Sequence, residues 1–272
     1  MLDLNPMLTV SRRALLPEAI TQSAPAAFAE TPDVNRTSKH YQFISTARVI
    51  TALRGAGFEP TRAQQTRVRG GGSPHHTKHM IRFSYIKNSL TLIDAVPELI
   101  LINSHDGTSA YTLMAGLFRP LCTNGLVTRI GDFGLLHVPH RGNIIHNVVE
   151  GALQIAHRFD DITNLVERMA ARTLDDVERA AFALDALRIR YPHPEQHVPL
   201  TAHQLLEPRR HADQGNTLWL AYNVVQENVI AGGLTGRAAS GRSSRTRAIR
   251  AIREDIRINM GLWNHAVTIL NS

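Results

Sequence analysis

A single cysteine, Cys122, serves the whole chain of 272 residues. An intramolecular disulfide is therefore excluded, as is a zinc site of the Cys-rich kind. Long apolar runs are missing too. The most apolar window, Leu90 to Ile102, is interrupted by Asp94, Pro97 and Glu98 and is shorter than the roughly 18 to 20 residues that cross a bilayer. Arg12 and Arg13 near the N-terminus are followed by Ala14 to Ile20, where Pro17 and Glu18 break any secretory apolar core. The expectation is a cytoplasmic protein with no membrane partner. Aromatic residues make up 6%, so an extended base-stacking surface is disfavoured, and Tyr41, Phe43 and Tyr85, its candidates, are read first as core.

Motifs of small-molecule and metal chemistry are equally scarce. The glycines at 70, 71 and 72, and at 232, 233, 236 and 241, fit neither G-x-x-x-x-G-K-[ST] nor G-x-G-x-x-G, and no cofactor is expected. His75, His76 and His79 spell H-H-x-x-H, but a flexible hairpin tip does not hold imidazoles convergently, and the H-E-x-x-H pattern is absent. No metal site is assigned. Ser104, His105 and Asp106 carry the letters of a catalytic triad in adjacent positions, whereas triad members converge from separate segments. Asp106-Gly107 reads instead as a turn with local Ser and Thr hydrogen bonds. Cys122 has no positioned base, and Asp160-Asp161 and Asp175-Asp176 fall where solvated acids are ordinary. No catalytic residue is assigned.

Arginine is what the chain has in excess. The formal net charge is +7 and the pI about 10.2. Between Gly236 and Arg257, seven arginines (Arg237, Arg242, Arg245, Arg247, Arg250, Arg253 and Arg257) face only Glu254 and Asp255, so this stretch alone holds about +5. A planar guanidinium matches phosphate oxygens, and a row of them is the footprint of nucleic-acid binding. The bland alternative is a solvated face paired with acidic patches such as Asp160 and Asp161. A second basic group, Arg62, Arg67, Arg69, Lys78, His79 and Arg82, falls on a predicted hairpin; facing the same side, the two would line a groove that follows a phosphate backbone.

Residues 1–45 are rich in Ala, Pro, Thr and Ser without a sustained period, and read as an extended or loosely docked arm. Residues 46–272 read as one α+β domain. Thr46 to Gly57 gives a short helix with Ser45 or Thr46 as cap. The hairpin follows around Gly70, Gly71 and Gly72, its second strand alternating Met80, Arg82 and Ser84 with Ile81, Phe83 and Tyr85. Leu99 to Asn103 is a further strand, Tyr111 to Phe118 a strand or helix, and Asn124-Gly125 a turn. From Gly142 a period near 3.6 runs through Met169 and predicts one long helix. Helices are also predicted over Leu174 to Tyr191, over Thr217 to Ile230 with Asn216 as N-cap, and over Thr246 to Ile269, the last preceded by a mobile loop from Gly236 to Arg245. The fold class is thus a β-rich N-terminal half of antiparallel hairpins packed with a helical C-terminal half.

Several segments taken in order resemble the domain-of-unknown-function 932 family of phage- and plasmid-like proteins. They are Thr77 to Phe83, Asn103 to Tyr111, Leu117-Phe118-Arg119 with Cys122 to Gly125, His140-Arg141-Gly142, Gly215 to Trp219 with Tyr222-Asn223 and Gln226 to Asn228, and Arg245 to Ala248 with Asn259, Leu262 and Trp263. The resemblance spans about Arg48 to Leu270 and implies a mobile-element origin more than an activity. Together these readings leave open whether the protein has catalytic activity and predict an accessory protein that binds nucleic acid, single-stranded DNA being one candidate, through Arg67, Arg69, Lys78, Arg82, Arg237, Arg242, Arg245, Arg247, Arg250 and Arg253. The alternatives are an inhibitor that binds a protein of a host defence system, and a metal-dependent nuclease.

Overall fold

Period-two alternation in the first half builds a sheet with two apolar faces. The computed structural model describes residues 14–68, 73–87, 95–119, 125–127 and 135–272. Within them α1 (Pro17–Ser23) and a 3-10 turn (Pro25–Phe28) precede α2 (Thr46–Gly55). The strands β1 (Phe58–Gln65), β2 (His79–Tyr85), β3 (Val96–Asn103), β4 (Tyr111–Phe118) and β5 (Gly125–Val127) pair antiparallel in sequence order. A further strand, β6 (Leu136–Val138), pairs the opening end of β4. Such nearest-neighbour order needs only hairpin connections. The predicted turn at Asn124-Gly125 and the glycines at 70, 71 and 72 involve residues outside those described.

The two faces of β2 separate as the alternation requires. Ile81 and Phe83 join Leu99, Leu101, Leu113 and Ala115 against α2 and α3 (Ile144–Ala156). Met80 faces the other way with Ile100, Ile102 and Met114, and that side is covered by Ile252, Ile256 and Met260 of the C-terminal helix. Because helices cover both faces, β3 and β4 are buried along nearly their whole length. Each fully buried Leu or Ile there contributes about 2 kcal/mol by leaving water.

The helical half continues with α4 (Phe159–Ala171), α5 (Asp176–Arg190), α6 (Ala202–Leu205), α7 (Leu218–Ala231) and α8 (Ile252–Asn271), and a two-stranded hairpin, β7 (Thr235–Arg237) and β8 (Ser243–Arg245), stands between the last two helices. The single long helix expected from Gly142 is two helices, broken at His157 and Arg158. One rod of that length would run about 40 Å, at 1.5 Å per residue; the break lets α3 lie on the sheet while α4 packs on α7 and α8. Helix α5 begins with a full capping box, Asp175 accepting from the Glu178 amide at 2.8 Å and Glu178 from the Asp175 amide at 2.9 Å. For α7 the cap is Thr217, whose hydroxyl accepts from Leu220 N at 3.3 Å. Asn216, the expected cap, lies one residue too early and uses its carbonyl to accept from Leu174 N.

From Leu15 onward the described part of the N-terminal arm packs on the rest of the domain. Leu15 N donates to Pro60 O at 2.7 Å, Ala26 N to Gln65 Oε1 at 3.0 Å, and Ile20, Ala24 and Ala27 enter the main core beside Val49 and Leu53. Small alanine side chains permit that close approach, an effect invisible in a composition that also suits disorder.

Candidate nucleic-acid interface

The arginine-rich stretch folds differently from a mobile loop followed directly by a helix. Thr235 to Arg237 pairs with Ser243 to Arg245, and the ladder extends through Gly233 N to Thr246 O at 2.8 Å and Thr246 N to Leu234 O at 2.9 Å. Ile249 N then donates to Ile230 O. These tertiary bonds occupy the backbone of residues 246–249, so the chain runs extended and α8 starts only at Ile252. The hairpin is fixed to the domain at Gly236, where a Cβ would come within 2.1 Å of Pro199 O. Arg237 N bonds Pro199 O at 3.0 Å, and Gln204 Nε2 donates to Thr235 O at 2.7 Å. Gly232, at φ +61, allows the turn from α7 into β7, since a Cβ there would meet the Arg247 carbonyl carbon at 2.7 Å.

All seven arginines of the stretch are exposed. Arg257 is neutralised, donating from Nε to Glu254 at 2.9 Å and from a terminal nitrogen at 2.6 Å. Among the described residues, no carboxylate lies within 4.0 Å of Arg237, Arg242, Arg245, Arg247, Arg250 or Arg253. The acids named as alternative partners are elsewhere: Asp161 pairs with Arg158 at 2.5 Å. Uncompensated like charges this dense repel one another and favour an external polyanion.

The predicted basic hairpin meets this stretch at a cleft of about 740 Å³. Arg62, Arg67 and Arg82 line it from β1, β2 and the segment after β1, and Arg250, Ala251 and Asp255 line it from the opposite side. The register explains the grouping, since Arg62 is paired with Arg82 and Gln64 with Met80, which puts all four on the sheet face that α8 covers. Asp255 is the acid of the site. Burial raises its carboxyl, with Arg82 and Arg62 pulling the other way and Asn259 donating to it at 3.0 Å.

The remaining site residues separate. Arg82 is 2% exposed and bonded to Glu98 at 3.2 Å, with Thr61 donating to the same carboxylate. Burial pulls its guanidinium down to about 10, and it supports the cleft wall as half of a buried ion pair. Lys78 is half-buried and does not line the cleft. Arg237 borders a second depression with His197 and Pro199. Arg69 lies outside the described residues, as does Cys122. The cleft positions absent from the predicted set include Arg62, Gln64, Asp255 and the apolar Ile230 and Ile249; the period-two spacing of 62 and 64 in β1 was the signal for the first two.

Tyr41 and Tyr85 stack on His140 and Phe58, and Phe43 meets His105 in a T-shaped contact. Ser104, His105 and Asp106 form the turn expected of them, Asp106 accepting from Thr108 N at 3.0 Å and from its hydroxyl at 2.6 Å. Among the described residues no group of three His, Cys, Asp or Glu side chains is arranged to hold a metal ion, and no helix is long and apolar enough to cross a membrane.

The histidines of the matched segments converge inside the protein. Thr46 Oγ1 contacts His79 Nε2 at 2.8 Å and His105 Nε2 at 3.3 Å, while Asn103 bridges to Thr46 and to His140 Nε2. Burial lowers His79 to about 4 and His105 to about 3, the latter also through its imidazole neighbours, and lowers His140. Unfolded imidazoles titrate near about 6.5. Between that value and about 4 the unfolded chain takes up protons that folded His79 refuses, so stability present above pH 6.5 is lost as pH falls. Thermal midpoints are expected to hold between pH 8 and 7 and to drop by several degrees by pH 5, where His79 alone accounts for roughly 2 kcal/mol. Flat midpoints over that range would show that the imidazoles are not held neutral.

With the fold and cleft defined, comparison places the protein. The chain belongs to the family described as Domain of unknown function (DUF932), whose profile matches residues 34–263 and so covers the sheet, the cleft and the arginine hairpin. It is similar to UPF0380 protein YafZ of Escherichia coli (strain K12), 41% identical over 258 residues that cover 95% of this chain and 92% of that one. UPF0380 protein YfjQ of the same strain is 40% identical over 258 residues with the same coverage. No solved structure matches the chain significantly.

Proposed function

We propose that this protein binds nucleic acid along the track formed by the β7–β8 hairpin, the extended segment 246–251 and the basic cleft, as an accessory protein of a mobile genetic element. The observation that carries the reading is the exposure of Arg237, Arg242, Arg245, Arg247, Arg250 and Arg253 with no carboxylate within 4.0 Å among the described residues, together with the meeting of Arg250 with Arg62 and Arg67 at one cleft. Anchoring by Gly236 and Gln204 supports it further, because a fixed hairpin presents its guanidinium groups at lower entropic cost than a mobile one. The mobile-element part rests on the family resemblance.

The test is oligonucleotide binding across a salt series. Replacement of counterions by arginines makes log affinity fall linearly with log salt, by about 0.7 to 0.9 per phosphate contacted; four to six contacts give a slope of roughly −3 to −5. Binding that is absent, or indifferent to salt, overturns the proposal in favour of a protein partner. Cleavage of the strand only after divalent metal is added would instead reassign the protein as a nuclease.

A further inference from the structure

The cleft between β1 and the start of α8 has a lining that a phosphate backbone alone does not account for. Arg62, Arg67 and Arg250 are exposed at its rim, yet its lining also includes the half-buried Ile249 and the nearly inaccessible Met80 and Ile230. It also carries a carboxylate, Asp255, and the amides Gln64 and Gln65. A phosphate seated among these would lose its water to apolar side chains, and the cations nearest Asp255, Arg82 and Arg62, are already engaged with that carboxylate. A nucleobase has complementary chemistry: two flat apolar faces, and an edge of N–H donors and carbonyl acceptors that amides and a carboxylate can read. The volume, about 740 Å³, falls in the range of preformed ligand sites, about 300 to 1,000 Å³.

Resting on the nucleic-acid reading above, we infer that this cleft receives an unpaired base of the bound strand, a face against Ile249, its edge toward Gln64 and Asp255, and its flanking phosphates on the arginine rim. A paired base keeps its edge occupied and its faces stacked, and entering the cleft would require flipping at a cost of a few kcal/mol. The site therefore selects single strands over duplexes, which the charge pattern by itself does not.

The probe is a mixed-sequence single-stranded oligonucleotide, compared with a strand of equal length and charge whose residues are all abasic. The full chain is expected to bind the base-bearing strand about tenfold more tightly. Ile249→Trp, which fills the cleft and leaves every arginine, is expected to bring the two affinities together while the salt slope stays unchanged. Gln64→Trp, filling the same space from the edge strand, serves if circular dichroism finds the first variant unfolded. Equal affinity of the unaltered protein for both strands, with a steep salt slope, overturns the base site and leaves nucleic-acid binding standing, and so does discrimination that survives a folded, filled variant. No binding of either strand overturns both.

Discussion

Replacing Arg245, Arg247 and Arg250 together with alanine is expected to weaken oligonucleotide binding on the order of 100-fold at moderate salt, with the salt slope reduced by about 2 to 3. The reasoning starts from position. Arg245 closes the hairpin, Arg247 follows on the extended segment, and Arg250 reaches the cleft, so the three sample the whole track. Each is exposed, and an exposed contact to a phosphate is worth about 1 kcal/mol, making about 3 kcal/mol or two powers of ten for the three. Each contact removed also takes about 0.7 to 0.9 from the slope. Folding should survive, because most bonds that hold this segment use its backbone: Arg190 donates to the Arg247 carbonyl at 3.0 Å, and Gly233 to that of Thr246, and only the exposed Arg245 Nε bond to Gly233 O, at 3.2 Å, is lost. Arg257→Ala supplies the contrast. Its guanidinium is already committed to Glu254, and its loss should leave the slope unchanged. A triple variant with unaltered slope would show that these arginines do not meet phosphate.

Arg82→Ala is expected to behave in the opposite way, lowering the thermal midpoint by roughly 10 °C without flattening the salt slope when binding is measured well below the transition. Both partners of the Arg82–Glu98 pair are nearly inaccessible, at 2% and 1% side-chain exposure. Truncating one partner of such a pair leaves a buried charge uncompensated, at a cost of about 3 to 5 kcal/mol, and for a chain of this size each kcal/mol moves the midpoint by about 2 to 4 °C. Replacing both partners with apolar residues of similar volume, Arg82→Met with Glu98→Leu, should recover most of the loss, since desolvation of the pair offsets much of its attraction. Differential scanning calorimetry separates the cases. A single variant that melts like the unaltered protein, or one that flattens the slope while remaining stable, would return Arg82 to the binding surface.

Much of the sheet was legible because its signal is local. Alternation in β2 sorted Met80 and Arg82 from Ile81 and Phe83, and the structure puts those two sets on opposite faces. The helical periods located α5 and α7 to within about two residues, where Asp175 and Thr217 cap them. Charge counting found the arginine stretch, but not its conformation. Gly236, Ser243 and Ser244 have the composition of a flexible loop; what makes them a hairpin is Pro199 and Gln204, distant in sequence. Ile249 and Ile252 have helical spacing, yet the Ile230 carbonyl claims Ile249 N before the helix begins. Long-range hydrogen bonds override local propensity in both places.

Lys78 and Arg82 illustrate the same limit from the other side. By composition each counts as a cation on a basic hairpin, but β2 is an interior strand, and Glu98 on neighbouring β3 takes Arg82 out of solvent. His79 and His105, read as a hairpin tip and a turn, are drawn together beneath α2 by Thr46. No spacing rule connects positions 46, 79 and 105.

By itself the sequence determined the α+β class, the apolar faces of the strands and the surplus of guanidinium over carboxylate, because period and formal charge are properties of neighbours along the chain. Only the tertiary structure decided which arginines keep their charge available and which are neutralised, and that Arg62, Arg67, Arg250 and Asp255 share one cleft. Electrostatic pairing and solvation depend on distances through space and on burial, and both are set by how the sheet and α8 pack.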